Sequence, residues 1–364
     1  MSQEDPGKKD APENVLSVLL SFGILIALVF AFKSSILDAN NIPSGSMIPT
    51  LKIGDYLFVN KMRYSLRFPF TEYELLRIDD PQRGDIITFI PPPPEDPSRH
   101  YVKRVVGMPG DRIRIRNIPA CELAAMLGTD RGRELKREYI CGERIGFFGG
   151  REPRIAFVEY KPNDTGPWLN YRPEEQPGEA AKTLLTDSDE ARALHPDFRR
   201  DDTVNDTLPV VFQETVRGVG HMTVESSQAE RPMYPCPEIT TDGCLIPENY
   251  FMAMGDNRDD SKDSRFIGLI ARNKILGKAI IIYFSINWRD GICRDYRNYI
   301  ARDRQDPSRG YGFPDFPPEE QAKYCSESDM NEFSESILEY LQRTVRYRIP
   351  RMAIRWYRIG SLLH

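Results

Sequence analysis

The sequence predicts a mainly β protein. A single N-terminal apolar helix precedes an antiparallel all-β core, which carries a large inserted second domain and a C-terminal extension with some helix. Three observations predict this. An uncharged apolar run stands near the N-terminus, from Val15 to Phe32. Short apolar strands punctuated by Gly-Asp and proline turns follow it, as antiparallel sheets require. That texture stops near residue 118 and resumes at Tyr250.

At 364 residues, the length suggests two or three domains. The 40% hydrophobic and 28% charged composition is ample for a sizeable core. A net charge of −5 gives no global basic field, so nucleic acid is not an expected partner. The 29 prolines point to long, irregular connections.

Residues 1–14 are polar and proline-containing, and are expected to form a disordered cytoplasmic tail. The run over 15–32 is eighteen residues long, just enough for a helix to span a bilayer core. It reads as an uncleaved anchor rather than a removable leader, since Lys33-Ser34-Ser35-Ile36 offers no clean small-x-small cut site. Lys8 and Lys9 precede the run. The neighbouring acidic residues weigh little in the positive-inside rule, so the N-terminus is assigned to the cytoplasm.

The first part of the core covers 40–118. Gly54-Asp55 leads into the strand Tyr56 to Asn60, and Gly84-Asp85 repeats the design before Ile86 to Ile90. A third strand, Tyr101 to Val106, runs into the turn Gly107 to Asp111. Arg112 to Arg116 then alternates charged and apolar residues, as a half-exposed strand does. Over 119–249 periodicity is poor, which predicts the inserted domain with long loops. The second part of the core, 250–284, contains strands at Tyr250 to Met254 and Ala279 to Phe284. In the extension 285–364, Phe333, Ile337, Leu338, Leu341 and Val345 fall near helical spacing. Arg343, Arg346, Arg348, Arg351, Arg355 and Arg358 follow. Two readings of this basic tail stay open: contact with anionic headgroups, or a solvated face packed on the domain. The six cysteines, Cys121, Cys141, Cys236, Cys244, Cys293 and Cys325, lack CxxC spacing. Their even number beyond an anchor is compatible with disulfides.

Three stretches carry chemistry. In Asn41 to Thr50, Ser44, Gly45 and Ser46 lie between Pro43 and Pro49, a rigid turn able to aim a hydroxyl. Histidine is the usual base for such a serine, yet His100, His195, His221 and His364 stand outside any catalytic-looking stretch. Lys103 is the better candidate. Strand alternation puts it on one face with Tyr101 and Val105, and burial disfavours the charged form of an amine. A neutral lysine can accept a serine proton. Arg104, on the opposite face, should stay charged. The third stretch, Met254 to Arg265, is too polar for core and lies between apolar strands. Ser261 can orient the lysine amine, and Asp263 with Arg265 can form a bidentate pair that holds the loop. The EF-hand spacing is absent here, so no metal is expected.

In this order, Ile-Pro-Ser-Gly-Ser-Met-x-Pro-Thr-Leu, Tyr-Val-Lys-Arg-Val-Val-Gly-x-Pro-Gly-Asp and Gly-Asp-Asn-Arg-Asp-x-Ser-x-Asp-Ser-Arg resemble the motif series of bacterial type I signal peptidases. These are serine–lysine endopeptidases. The resemblance covers the anchor, about 41–116, and 250–284; Arg355 to Gly360 also resembles a family C-terminus. It implies that Ser46 is the nucleophile and Lys103 the general base. It implies an oxyanion hole from the Ser44 hydroxyl and the Ser46 amide, with Ser261, Asp263 and Arg265 in support. Ile42, Met47, Leu51 and Val102 would line shallow apolar pockets for Ala-x-Ala-like sites. The implied protein is single-pass in the bacterial inner membrane, with its catalytic domain on the outer, periplasmic face. Its implied partners are signal peptides of exported preproteins, the lipid bilayer and the Sec or Tat translocation machinery, with no cofactor. The family supplies no role for residues 285–350. Two alternatives are a related self-cleaving Ser/Lys peptidase and a membrane-tethered scaffold without activity.

Overall fold

The computed structural model describes residues 15–71, 73–119, 154–171, 210–225, 236, 239, 241–258, 261–287, 338, 341–342, 344–345 and 349–363. The predicted N-terminal tail, much of the inserted segment, most of 285–350, His195, His364 and four of the cysteines lie outside them.

Helix α1 (Val15–Ser35) leads into β1 (Leu37–Asn41) and β2 (Asp55–Asn60). The hairpin β3 (Ser65–Arg67) and β4 (Glu74–Arg77) follows, then β5 (Ile86–Phe89), β6 (Tyr101–Gly107) and β7 (Arg112–Pro119). The inserted stretch supplies β8 (Arg154–Lys161), β9 (Leu169–Asn170), β10 (Val210–Val216), β11 (Val219–Glu225) and β12 (Cys244–Leu245). Then come β13 (Tyr250–Met254), the short α2 (Ser264–Ile267), β14 (Ile270–Ala271), β15 (Ile275–Asn287) and β16 (Ala353–Ile354).

The large sheet has the order β1-β2-β15-β5-β6-β13-β14, with β16 on β15. Its pairings are antiparallel, as the turn-punctuated strands predict. β7 leaves this sheet and pairs with β8 and β12 in a second, four-stranded one. The Arg112 to Arg116 strand therefore builds the second sheet with inserted residues. Ile113 and Ile115 enter its core with Val158 and Tyr171, while the intervening arginines face outward. Cys236 and Cys244 form a disulfide with Cα atoms 6.2 Å apart.

The predicted Gly-Asp turns share one mechanism. Gly54, Gly84 and Gly110 all have positive φ, from 82° to 92°, a conformation cheap only for glycine. The next residue, Asp55, Asp85 or Asp111, is buried. In each case its carboxylate accepts the amide three residues back, from Lys52, Gln82 or Met108, at 2.7–3.0 Å. Each also receives a cation: Arg358, Lys278 and Arg83 respectively. A buried carboxylate needs such a partner, so each turn is locked to a distant segment.

The first of these locks settles the closing motif. Arg358 donates from Nε and Nη2 to Asp55 at 2.6–3.1 Å, and Nη2 also reaches the Thr50 carbonyl at 2.8 Å. Arg355 Nη1 donates to the Ile53 carbonyl at 3.0 Å. Both arginines are buried, so these two members of the basic tail are internal clamps rather than headgroup ligands. Leu363 closes the core cluster containing Met47, Leu51 and Leu57. Residues 353–354 and Leu362 likewise pair with β15 of the large sheet.

Side chains of α1 are described without a break only over 17–32. Among the described residues, no helix is long and apolar enough to cross a membrane. As a backbone element α1 has 21 residues, and its large side chains from Leu19 to Phe32 are exposed.

Replacing Arg358 by Ala leaves the fully buried Asp55 carboxylate without its cation. The expected loss is roughly 3–5 kcal/mol of stability, measured as a lower urea midpoint with an unchanged slope.

Candidate active site

The turn after β1 is held by short-range backbone bonds. The Ile48 amide donates to the Gly45 carbonyl at 3.0 Å, and the Leu51 amide to the Met47 carbonyl at 2.8 Å. Met47, Ile48 and Leu51 face inward and are buried, which leaves Ser44 exposed and Ser46 half-buried.

Lys103 lies in β6, paired with Ile87 of β5. It is 4% exposed, and its Nζ is 5.7 Å from the Tyr101 ring centroid. Nζ lies 2.6 Å from Ser46 Oγ and donates to the Val102 carbonyl at 2.9 Å. The short distance gives a proton a direct route between the two atoms. Arg104, on the other face, is also buried. It grips Asp256 through Nε and Nη2, both at 2.9 Å. Its predicted charge is thus used inside the fold.

The polar stretch after β13 wraps this pair. Asp263 is its hub. The carboxylate accepts the Gly255 amide at 2.9 Å and the Ser261 hydroxyl at 2.7 Å. It also accepts Arg265 Nε at 2.9 Å and Nη2 at 2.8 Å, the expected bidentate pair. Burial alone would raise the Asp263 carboxyl, but Arg265 with the amide and hydroxyl donors overcomes it and holds the carboxyl below the usual range. Asp256 follows the same pattern: burial pushes upward, while Arg104 and the Thr50 hydroxyl hold it low.

Ser46 itself is gripped by its backbone. The Asn257 amide donates to the Ser46 carbonyl at 3.1 Å, and Asn257 Nδ2 to the Gly45 carbonyl at 3.2 Å. A Cβ on Gly255 would collide with that same Ser46 carbonyl and with Ser261, whose own Cβ is 2.5 Å from the position. Only glycine lets the two loops approach this closely.

The structure brings Ser46, Lys103, Ser261, Asp263 and Arg265 into one cluster. Of the four expected pocket residues, Val102 is half-buried; Ile42, Met47 and Leu51 are at most 4% exposed and lie in a core cluster with Leu57 and Ile86. His100 is exposed, and His221 lies beside Glu214 at 3.4 Å. Asp259 and Asp260 lie outside the described residues. Among the described residues, no group of His, Cys, Asp and Glu is placed to hold a metal ion. Sequence reasoning missed Asp256, Asn257 and Arg258 as individual contributors. Their loop was visible, but their partners Arg104, Ser46 and Glu214 lie far away in the chain.

Two outcomes follow from this geometry. Gly255→Ala should cost about 1–3 kcal/mol through overpacking and should slow any reaction at Ser46, read from urea unfolding and turnover together. Because the folded-state carboxyls of Asp263 and Asp256 are depressed, their stabilisation is complete above the unfolded value of about 3.9 and is lost as pH falls below it. Acid titration of Asp263→Asn should therefore show a shallower stability loss below about pH 4 than the parent.

The profile of the family described as signal peptidase, peptidase S26, matches residues 15–120 and 195–284. The chain is 28% identical over 302 residues to signal peptidase I of Buchnera aphidicola subsp. Acyrthosiphon pisum, covering 80% of this chain and 83% of that one. To signal peptidase I of Pseudomonas aeruginosa it is 27% identical, covering 74% and 72%. To that of Aquifex aeolicus it is 30% identical over 268 residues, covering 72% of this chain and 82% of the relative. A profile spanning the serine turn, the lysine strand and the polar loop, together with relatives aligned over most of their length, establishes that the chain belongs to the bacterial type I signal peptidases of peptidase family S26 and is a serine peptidase.

Proposed function

We propose that the protein is a membrane-bound endopeptidase that removes N-terminal signal peptides from exported preproteins at small-x-small, Ala-x-Ala-like sites, using Ser46 and Lys103. The observation that carries this is the 2.6 Å contact between Ser46 Oγ and a buried lysine amine. A scaffold without activity has no need to keep an amine desolvated against a hydroxyl.

In the proposed reaction the neutral Lys103 amine takes the proton of Ser46 Oγ as that oxygen attacks the scissile carbonyl carbon. The resulting oxyanion is met by the Ser46 amide and the Ser44 hydroxyl, donors that act on charge present only in the transition state. The lysine ammonium then protonates the leaving amine, and the C–N bond breaks. Lys103 next takes a proton from water, whose oxygen attacks the acyl carbon; as the C–Oγ bond breaks, Lys103 returns that proton to Ser46 Oγ, the new carboxyl end is released and the neutral amine is restored. Ser261, Asp263 and Arg265 keep the amine aimed. Val102 packs on the core cluster of Ile42, Met47 and Leu51; in the proposal that apolar support presents a shallow surface that admits small side chains and excludes larger ones.

The bilayer reading assigns α1 as a single-pass anchor, N-terminus in the cytoplasm and catalytic domain outside the bacterial inner membrane. Its all-round exposed apolar surface suits lipid better than water. The β3–β4 hairpin beside it supports the same reading. Phe68, Phe70, Tyr73, Leu75 and Leu76 are exposed there, and the Phe70 amide donates to Ser34 Oγ of α1 at 2.7 Å. An anchored enzyme meets substrates held in the same bilayer at high effective concentration, and the Sec or Tat machinery would deliver them.

The test is cleavage of a preprotein with an Ala-x-Ala site in detergent micelles. The parent should cut after the second alanine, while folded Ser46→Ala and Lys103→Ala should lose at least about 10⁴-fold. Full activity in Lys103→Ala would assign the proton transfer to another base.

A further inference from the structure

We propose that the β10–β11 hairpin of the inserted segment is a positioning element for the nucleophile, acting through a buried Glu214–Arg258 pair; this rests on the assignment of Ser46 and Lys103 as the reacting groups. The hairpin is tied directly to the loop that grips Ser46. The Val224 amide donates to the Asp256 carbonyl, and the Arg258 amide to the Val224 carbonyl, both at 2.8 Å. Val224 thereby forms a parallel bridge with Asn257, the residue whose amide and side chain hold the Ser46 and Gly45 carbonyls.

Side chains reinforce the bridge. Glu214 of β10 is 1% exposed and Arg258 is 2% exposed. Arg258 Nη2 donates to Glu214 Oε2 at 2.5 Å, and its Nε donates to the Gly255 carbonyl at 3.1 Å. Gly255 is the residue at which an added Cβ would strike the Ser46 carbonyl and whose amide is held by Asp263. One continuous path thus runs from Glu214 through Arg258 and Gly255 to the backbone of the nucleophile.

The cluster is costly as a stability device. Among the described residues, Arg258 Nη1 and His221 Nε2 are buried without a hydrogen-bond partner; His221 Nε2 lies 3.4 Å from Glu214 Oε2. Buried ion pairs generally add little stability over apolar side chains of similar volume. Such a pair does fix geometry, because a forked guanidinium between a carboxylate and a carbonyl permits one arrangement of both. A displacement of about 1 Å at a reacting atom can cost about 10²-fold in rate. The inserted hairpin therefore sets where Ser46 Oγ stands relative to Lys103.

The experiment measures kcat and KM for an Ala-x-Ala preprotein in micelles, with folded fraction from near-UV circular dichroism, for Glu214→Gln, Arg258→Lys and the double variant. Ser46→Ala runs alongside. The expected result is a fall in kcat of about 10–10²-fold in each single variant, with KM within about twofold and the folded fraction unchanged. The double variant should be no worse than the poorer single one, because the pair acts as a unit. Glu214→Asp should recover part of the loss. Unchanged kcat in folded Glu214→Gln or Arg258→Lys, beside an inactive Ser46→Ala, overturns the positioning role and leaves the dyad intact. Activity that only tracks folded fraction, or failure of both single variants to fold, overturns it by making the pair purely architectural. Activity retained in Ser46→Ala instead removes the reading on which the role rests.

Discussion

The contact between Ser46 Oγ and Lys103 Nζ joins residues 57 positions apart at 2.6 Å, and much of the fold around it serves to keep it. A serine on a turn and a lysine on a strand have no local reason to meet. The turn is anchored from below by Met47, Ile48 and Leu51. From the side it is gripped by the amide and side chain of Asn257, with Gly255 packed close against it. The strand is fixed by pairing on both edges, with β5 and β13. The strand pairing and the Asn257 contacts hold backbone groups, and the Ser46 and Lys103 side chains meet between them.

Buried carboxylates are the recurrent means of joining distant segments. Asp55 ties the serine turn to the C-terminal Arg358, Asp256 ties the polar loop to Arg104 of the lysine strand, and Asp263 folds its own loop around Arg265. Each is wholly buried. In that setting a carboxylate without its cation is far more costly than a missing apolar contact. The burial that encloses Lys103 therefore also makes these paired charges decisive. A low-dielectric interior serves both the chemistry and the register of the loops.

Much of this was legible in the chain. The Gly-Asp turns and alternating strands of residues 54–60, 84–90 and 101–111 announce an antiparallel sheet, and the Asp263–Arg265 pair follows from local spacing. The partner of each Asp in those turns was not legible. Nothing near Asp55 points to Arg358, because that pairing is created only when β16 and the closing turn return to β15. Likewise, Arg112 to Arg116 reads as a strand, but the sheet it joins depends on partners in the inserted stretch. Glu214 shows no signal at all, being one acidic residue in an irregular region. Its role emerges from the hairpin that carries it to Arg258.

The proposed dyad makes Ser46 Oγ the atom acylated by substrate. Its most direct test is to quench the reaction with an Ala-x-Ala preprotein under conditions that accumulate the acyl-enzyme, and to map the added mass by peptide mass spectrometry. The expected product is an ester on Ser46 that disappears in Ser46→Ala and forms far more slowly in Lys103→Ala. An acyl group on any other residue, or turnover by Ser46→Ala at the parent rate, would contradict it.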